Sequence, residues 1–196
     1  MKTIYFIRHG KTKYNEEGRF VGSTDLHLTD NGKNLISESW ENKRHNIVKD
    51  MLFTSPMNRC VETANIIFPE DSFIVLTNMR EMNFGLFEGK TPNELAHNKD
   101  YNEFIKTNAL HKIPDGESGL EFSRRVLKAF FEMIKIMDKE NVNNSALVCH
   151  GGVIMALFSI MCKESNDILH YHIDNGGGYK TNYDENNREL IIIEKL

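Results

Sequence analysis

The 196-residue chain is short of several things, and each shortage narrows what it can be. Its three cysteines, Cys60, Cys149 and Cys162, form no CxxC pair, and their odd number leaves at least one thiol free. A reduced, cytoplasmic compartment is therefore expected. Positive charge is not in excess: 24 Lys and Arg stand against 28 Asp and Glu, a net charge of -4. That argues against non-specific nucleic-acid binding, which needs a basic face, but leaves room for a locally basic pocket. No apolar run approaches the roughly 20 residues that span a bilayer, so no membrane association is expected. The N-terminal apolar run is five residues long with no small-residue cleavage site, and no signal peptide is expected either. No Pro/Ser-rich linker, internal repeat or low-complexity stretch divides the chain. A single domain over residues 1–196 follows as the expectation.

Several phosphoryl-transfer chemistries are also missing their signatures. There is no GxxxxGK[ST] loop, no cysteine with an arginine six positions later, and no DxD pair. P-loop, cysteine-phosphatase and aspartyl-phosphate metal mechanisms are thereby excluded.

What is present is a pattern that occurs three times. Thr3–Ile7 (TIYFI) reads as a buried strand and ends in Arg8-His9-Gly10. Met51–Thr54 runs into Ser55-Pro56, with Arg59 just beyond, and Ala146–Cys149 runs into His150-Gly151-Gly152. If these strands are parallel neighbours, their endings share the sheet edge where open α/β folds bind ligands.

The remaining elements fit that frame. A polar loop is expected from Lys11 to Thr29, then a helix with Leu35, Ile36 and Trp40 on its inner side. A strand near Ile47–Phe53 should lead into a helix from Pro56 to about Phe68, with Ser55 as its hydroxyl N-cap. Phe73–Thr77 (FIVLT) reads as another short buried strand. Residues 85 to 116 are polar and glycine-punctuated, with one or two short helices, and are placed as a cap over the pocket. Ser118 and Glu121 form a capping box opening a long helix to about Asp138, whose inner face carries Phe122, Val126, Ala129, Met133, Ile134 and Met137. An apolar helix from Val153 to Met161 and a closing hairpin, Tyr179–Tyr183 with Leu190–Ile193, complete the chain. Strands alternating with helices predict a three-layer αβα sandwich around a mostly parallel sheet.

At the proposed edge, neutral imidazole is a competent nucleophile toward phosphorus and its charged form is not. A neighbouring guanidinium keeps His9 uncharged. Arg59, in the first turn of its helix, would offer a planar fork to phosphate oxygens. His150 and Gly151 open a helix whose N-terminal amides are free to bind an anion. A phosphomonoesterase also needs a proton donor for the leaving alkoxide, for which Glu81 is the candidate and Glu88 its competitor. His170 and His172 at i, i+2 could ligate a metal, but no third ligand lies at a useful spacing.

Six segments in order, RHGKTKYN (8–15), GRFVGSTDLHLTDNG (18–32), TSPMNRCVETA (54–64), REMNFGLFEG (80–89), PDGES (114–118) and LVCHGG (147–152), resemble the histidine phosphatase superfamily, in its phosphoglycerate mutase-like branch. The resemblance implies that His9 is the nucleophile forming a phosphohistidine, and that Arg8, Arg59 and His150 clamp the phosphoryl oxygens. It implies further that Asn15, Gly22 and Ser23 line the pocket, that Glu81 is the proton donor, and that no metal or other cofactor is used. Lys11 stands where the family often has Glu, Val21 where many members have Gln, and Phe87 where related phosphatases often carry Trp. Val21 and Phe87 would flank the pocket and bear on substrate choice.

The expected activity is that of an acid-type histidine phosphatase acting on a small phosphomonoester, with α-ribazole 5′-phosphate among the candidates because the chain length and FGLFEG resemble that group. The alternative is a phosphoglycerate mutase, against which residues 90 to 116 contain no arginine to hold a carboxylate. A non-catalytic phosphate-binding module and a His9/His150/Glu81 metallohydrolase are the remaining readings. The presence of both His9 and Glu81 weighs against the first, and the repulsion of a cation by Arg8 and Arg59 against the second.

Overall fold

The computed structural model describes residues 1–165 and 167–196. Its six strands are β1 (Lys2–Arg8), β2 (Met51–Thr54), β3 (Ile74–Val75), β4 (Asn144–Cys149), β5 (Gly178–Asp184) and β6 (Glu189–Lys195). They form one sheet in the order β3-β2-β4-β1-β5-β6. Pairings β3–β2, β2–β4 and β4–β1 are parallel, and only β5 runs against its neighbours. The mostly parallel sheet expected from the alternating pattern is what forms.

The helices are α1 (Lys13–Glu16), α2 (Asp30–Trp40), α3 (Asn58–Ile67), α4 (Pro92–Leu95), α5 (Lys99–Lys106), α6 (Gly119–Lys139) and α7 (Gly151–Met161). Period-two alternation along the inner strands sends side chains to two separate cores. Ile4, Phe6 and Leu147 pack with Phe130 and Met133 of α6 and Val153 and Leu157 of α7. Tyr5, Ile7, Ala146 and Val148 pack with Ile36 and Trp40 of α2 and with Cys60, Ala64 and Ile67 of α3. Helices thus cover both faces, giving the αβα sandwich. Ser118 and Glu121 do form the capping box of α6, and all six residues expected on its inner face are buried. Among the described residues no helix is long and apolar enough to cross a membrane.

Five local expectations need correction. First, β2 begins at Met51, because a 3-10 turn over Lys43–Asn46 precedes it and leaves Ile47 outside the strand. Second, α3 starts at Asn58 with Met57 as an N-cap that makes no side-chain bond. Ser55 is turned away to His150, and the Asp25 carboxylate takes up the Asn58 amide instead (2.8 Å). Third, FIVLT contributes only the two-residue edge strand β3, and both its residues are exposed. Fourth, Leu35 is 43% exposed, so the buried stripe of α2 is Ile36 and Trp40. Fifth, the loop from Lys11 to Thr29 contains α1, a single turn closed by Thr12 and Asn15 in a capping box.

Candidate active site

The three strand endings do converge. β1 and β4 pair in register so that Arg8 lies opposite Cys149, and β2 and β4 so that Thr54 lies opposite Val148. The ladder continues one residue further, with the His9 amide donating to Cys149 (3.0 Å) and the Ser55 amide to Val148 (3.0 Å). His9, Ser55 and His150 therefore emerge side by side. The His9 and His150 rings sit 5.2 Å apart at an interplanar angle of 66°.

His9 is buried, and its Nδ1 lies 2.7 Å from the Gly10 carbonyl. A carbonyl only accepts, so Nδ1 carries the proton and the lone pair resides on Nε2. Two further bonds hold this turn: the Gly10 amide donates to Thr63 Oγ1 (3.0 Å), and Asn175 Nδ2 donates to the His9 carbonyl (3.1 Å). His150 Nε2 and the Ser55 hydroxyl are 2.7 Å apart. Arg8 donates from Nη1 to the Ile173 carbonyl (2.6 Å), and Arg59 from its two terminal nitrogens to the carbonyls of Thr24 (2.9 Å) and Gly22 (2.8 Å). Both arginines bury an Nε–H that has no partner among the described residues. Leaving a buried charged donor unmet is costly, and an anion placed between them would relieve both.

Glu81 comes to the same place from a segment without regular structure. Its carboxylate accepts from the Met82 amide (2.9 Å) and from the Gly152 amide at the start of α7 (2.9 Å). A Cβ on Gly152 would stand 2.2 Å from Glu81 Oε1, so only glycine allows that approach. Glu88 does something different. Its oxygens accept from the amides of Gly22 (3.1 Å), Ser23 (2.8 Å), Thr24 (3.3 Å) and Phe84 (3.1 Å) and from the Thr24 hydroxyl (2.6 Å). It anchors the 22–24 loop. At Gly22 a Cβ would meet the Met82 carbonyl at 1.7 Å, which explains the glycine there.

The electrostatics separate the roles. Burial pushes His9 well below the ordinary histidine value, Arg59 and Arg8 push the same way, and its bond to the Gly10 carbonyl opposes them. His150 is held low by burial, Arg59, His9 and Arg8. Glu81 is raised by burial against the pull of two backbone amides and the same two arginines. Cys60, beside His150, is pushed up to about 12 by burial and is no thiolate nucleophile near neutrality.

A family model described as "Histidine phosphatase superfamily (branch 1)" matches residues 4–194. The chain belongs to the histidine phosphatase superfamily. It is 29% identical over 204 residues to a Hydrogenobacter thermophilus protein named "Putative phosphoserine phosphatase 2", covering 100% of this chain and 97% of the relative. It is 26% identical to a 2,3-bisphosphoglycerate-dependent phosphoglycerate mutase of Buchnera aphidicola, covering 96% of each. Among solved structures it superposes on the α-ribazole phosphatase of Shigella flexneri with a TM-score of 0.82 at 21% identity, covering 97% of this chain and 94% of the other. Phosphoserine phosphatase from Entamoeba histolytica, solved with 3-phosphoglyceric acid, superposes with a TM-score of 0.82 at 24% identity, covering 100% and 96%. At such identities the structural matches speak for the fold.

Within this superfamily member, the structure gathers Arg8, His9, Arg59, Glu81, His150 and Gly151 at one point. Gly151 lies against Arg8, where a Cβ would be 3.1 Å from Nε. Asn15 reaches the cluster indirectly: its Oδ1 takes the Thr12 amide (3.0 Å) and the Asn175 Nδ2 (3.5 Å), leaving its own amide hydrogens for other partners. Gly22 joins through its carbonyl bond to Arg59, and Ser23 lines a cavity of about 160 Å³ together with Met57, Arg80, Glu81, Asn83, Glu117 and Arg125. Val21 is half-buried one residue before that loop. Phe87 does not flank the pocket. It is fully buried and packs edge-on or tilted among Phe20, Tyr101 and Phe104, because its 3-10 turn points the ring into the core. His170 lies on a 3-10 turn and His172 just past it, and no group of three metal-ligating side chains occurs among the described residues. Sequence reasoning missed Ser55, Asn175, Glu117 and Arg125. Two motifs offered a signal: Ser55 lies in TSPMNRCVETA, where it read as an N-cap, and Glu117 lies in PDGES.

Proposed function

We propose that this superfamily member is a phosphomonoester hydrolase that works through a phosphohistidine on His9. The observation that carries the reading is the His9 side chain itself: its Nδ1–H is committed to the Gly10 carbonyl, which leaves the Nε2 lone pair free, and the two arginines whose charge acts on the ring, Arg59 and Arg8, each bury an Nε–H without a partner among the described residues. Nε2 attacks phosphorus and the ester P–O bond breaks. Arg8, Arg59, Asn15, His150 and the Gly151 amide hold the equatorial oxygens, and two fixed positive charges supply the stabilisation that phosphoryl transfer chiefly needs. Glu81, whose carboxyl burial shifts toward the protonated form, gives its proton to the departing alkoxide. As a carboxylate it then takes a proton from the water that attacks the phosphohistidine, releasing inorganic phosphate and restoring both residues. No step in this scheme requires a metal.

The leaving group would occupy the cavity of about 160 Å³ beside Glu81. Val21 and Ser23 border this side. The chain segment 85–116, carrying α4 and α5, is assigned as the cap, and 1–196 as one domain in a cytoplasmic protein. A mutase is the second reading, favoured by the Buchnera relative, but no arginine in residues 90–116 is available to hold a carboxylate.

Steady-state phosphate release with EDTA present tests the proposal, over p-nitrophenyl phosphate, phosphoserine, 3-phosphoglycerate, sugar phosphates and α-ribazole 5′-phosphate. Release under chelation is expected. Phosphate exchange between phosphoglycerates without net release would replace this reading by the mutase, and inactivity on every substrate would leave a phosphate-binding module.

A further inference from the structure

Arg125, on α6, differs from the other arginines of the site in having nothing left to give. Its Nε donates to Glu117 Oε1 (2.9 Å), Nη1 to the carbonyls of Asn78 (2.8 Å) and Arg80 (3.0 Å), and Nη2 to Glu117 Oε2 (2.8 Å) and the Glu81 carbonyl (3.3 Å). Those five bonds use all five guanidinium N–H groups. Arg125 is therefore not a phosphate clamp, although it lines the cavity beside Glu81. Glu117 turns back to the same segment and accepts the Asn83 amide (2.9 Å).

Together the pair grips the chain at 78, 80, 81 and 83, on both sides of Glu81. That stretch has particular need of it. Residues 80–84 lie between two 3-10 turns and belong to no helix or strand, so no ladder bonds fix their path. Among the described residues the Glu81 carboxylate itself has only the Met82 and Gly152 amides. Proton donation tolerates little displacement, since an error of about 1 Å costs on the order of 100-fold in rate.

We propose that the Arg125–Glu117 pair is a positioning device for Glu81, acting through the backbone of residues 78–83 to aim its carboxyl at the leaving oxygen. The inference rests on the assignment of Glu81 as the acid. It separates aiming from mere stability by one property: an acid that is misaimed matters only when the leaving group needs a proton.

The test compares Arg125→Lys and Glu117→Gln with the parent protein on phosphoethanolamine, an alkyl phosphate, and on p-nitrophenyl phosphate, whose leaving group needs little protonation. Lysine keeps the charge but not the fork, and cannot span three carbonyls and a carboxylate. In Arg125→Lys, kcat on the alkyl ester is expected to fall at least about tenfold further than kcat on the aryl ester, with a smaller difference of the same sign in Glu117→Gln. Taking the ratio of the two activities removes any loss of folded protein. Equal losses on both esters, or none, would overturn the proposal. If Arg125→Lys does not fold, the half-buried Glu117→Gln change decides by the same ratio. Glu81→Gln is run alongside: if it too shows no selective loss, the acid assignment itself has failed, whereas a selective loss there and none at Arg125 or Glu117 defeats only the positioning claim.

Discussion

The two halves of the site are built in opposite ways. The nucleophile half, Arg8, His9 and His150 with Arg59 in the first turn of α3, gathers at the ends of β1, β2 and β4, whose spacing is set by parallel ladders. The acid half, Glu81 with Glu88 and Glu117, hangs from loops that Arg125 of α6 helps to tie down, and its spacing is set by side chains that bond to backbone. A sheet edge positions residues by a repeating hydrogen-bond pattern that any apolar strand supplies. A loop has no such repeat and must be pinned one carbonyl or amide at a time. The first half should therefore fail through loss of chemistry, and the second through loss of aim.

Removing the nucleophile gives the largest expected effect. His9→Ala should lower kcat by on the order of 10⁴-fold or more for every ester, whatever the leaving group, with an unchanged far-ultraviolet spectrum. Rapid-quench labelling should show a phosphorylated parent protein and an unlabelled variant; a labelled His9→Ala protein would place the covalent step elsewhere. Glu81→Gln comes next and differs in kind. Its loss, about 10² to 10⁴-fold, should fall on alkyl esters and largely spare p-nitrophenyl phosphate. A uniform loss would dissolve the division between the halves.

The same division explains what the amino-acid sequence disclosed. Arg8, His9, Arg59 and His150 were legible because each follows a short apolar run, and a strand ending is visible without coordinates. Glu81 was legible only as one of two carboxylates in REMNFGLFEG, and nothing in that segment told Glu81 from Glu88. The distinction is tertiary: Glu88 meets four amides of two loops, whereas Glu81 meets the start of α7. Arg125 was hidden for the same reason, since besides Glu117 its partners are backbone carbonyls more than 40 positions away. Ser55 misled for a related one. A serine before proline has the form of an N-cap, but burial beside His150 gave its hydroxyl a competing partner.

Smaller effects sharpen the contrast. Arg59→Lys keeps the charge and loses the fork that holds the Gly22 and Thr24 carbonyls, and kcat/KM should drop roughly 10 to 100-fold on alkyl and aryl esters alike. Unaltered kinetics would remove Arg59 from the clamp. Glu88→Gln replaces an oxygen that receives backbone N–H groups with an amide that faces them as a second donor. A stability loss of about 1–3 kcal/mol in urea unfolding is expected. The ratio of alkyl to aryl activity should stay where it was, and a selective loss on alkyl esters would instead make Glu88 a partner in the acid role.

The weakest effect is a difference of sign in how the halves respond to pH. His9 and His150 are buried neutral with pKa values below the unfolded histidine value of about 6.5, so the stability they contribute is present above that pH and is lost as pH falls. Glu81 is raised above the unfolded glutamate value of about 4.3, so its contribution is present at low pH and is lost as pH rises through its folded pKa. In urea unfolding from pH 5 to 8, the parent should weaken toward the acid end on account of the two imidazoles. Subtracting the parent from Glu81→Gln isolates the other half. The variant has no carboxyl to ionise, so its stability relative to the parent should rise with pH across the range where Glu81 titrates. A flat difference would mean that Glu81 titrates alike in the folded and unfolded chain, and that burial does not hold its proton.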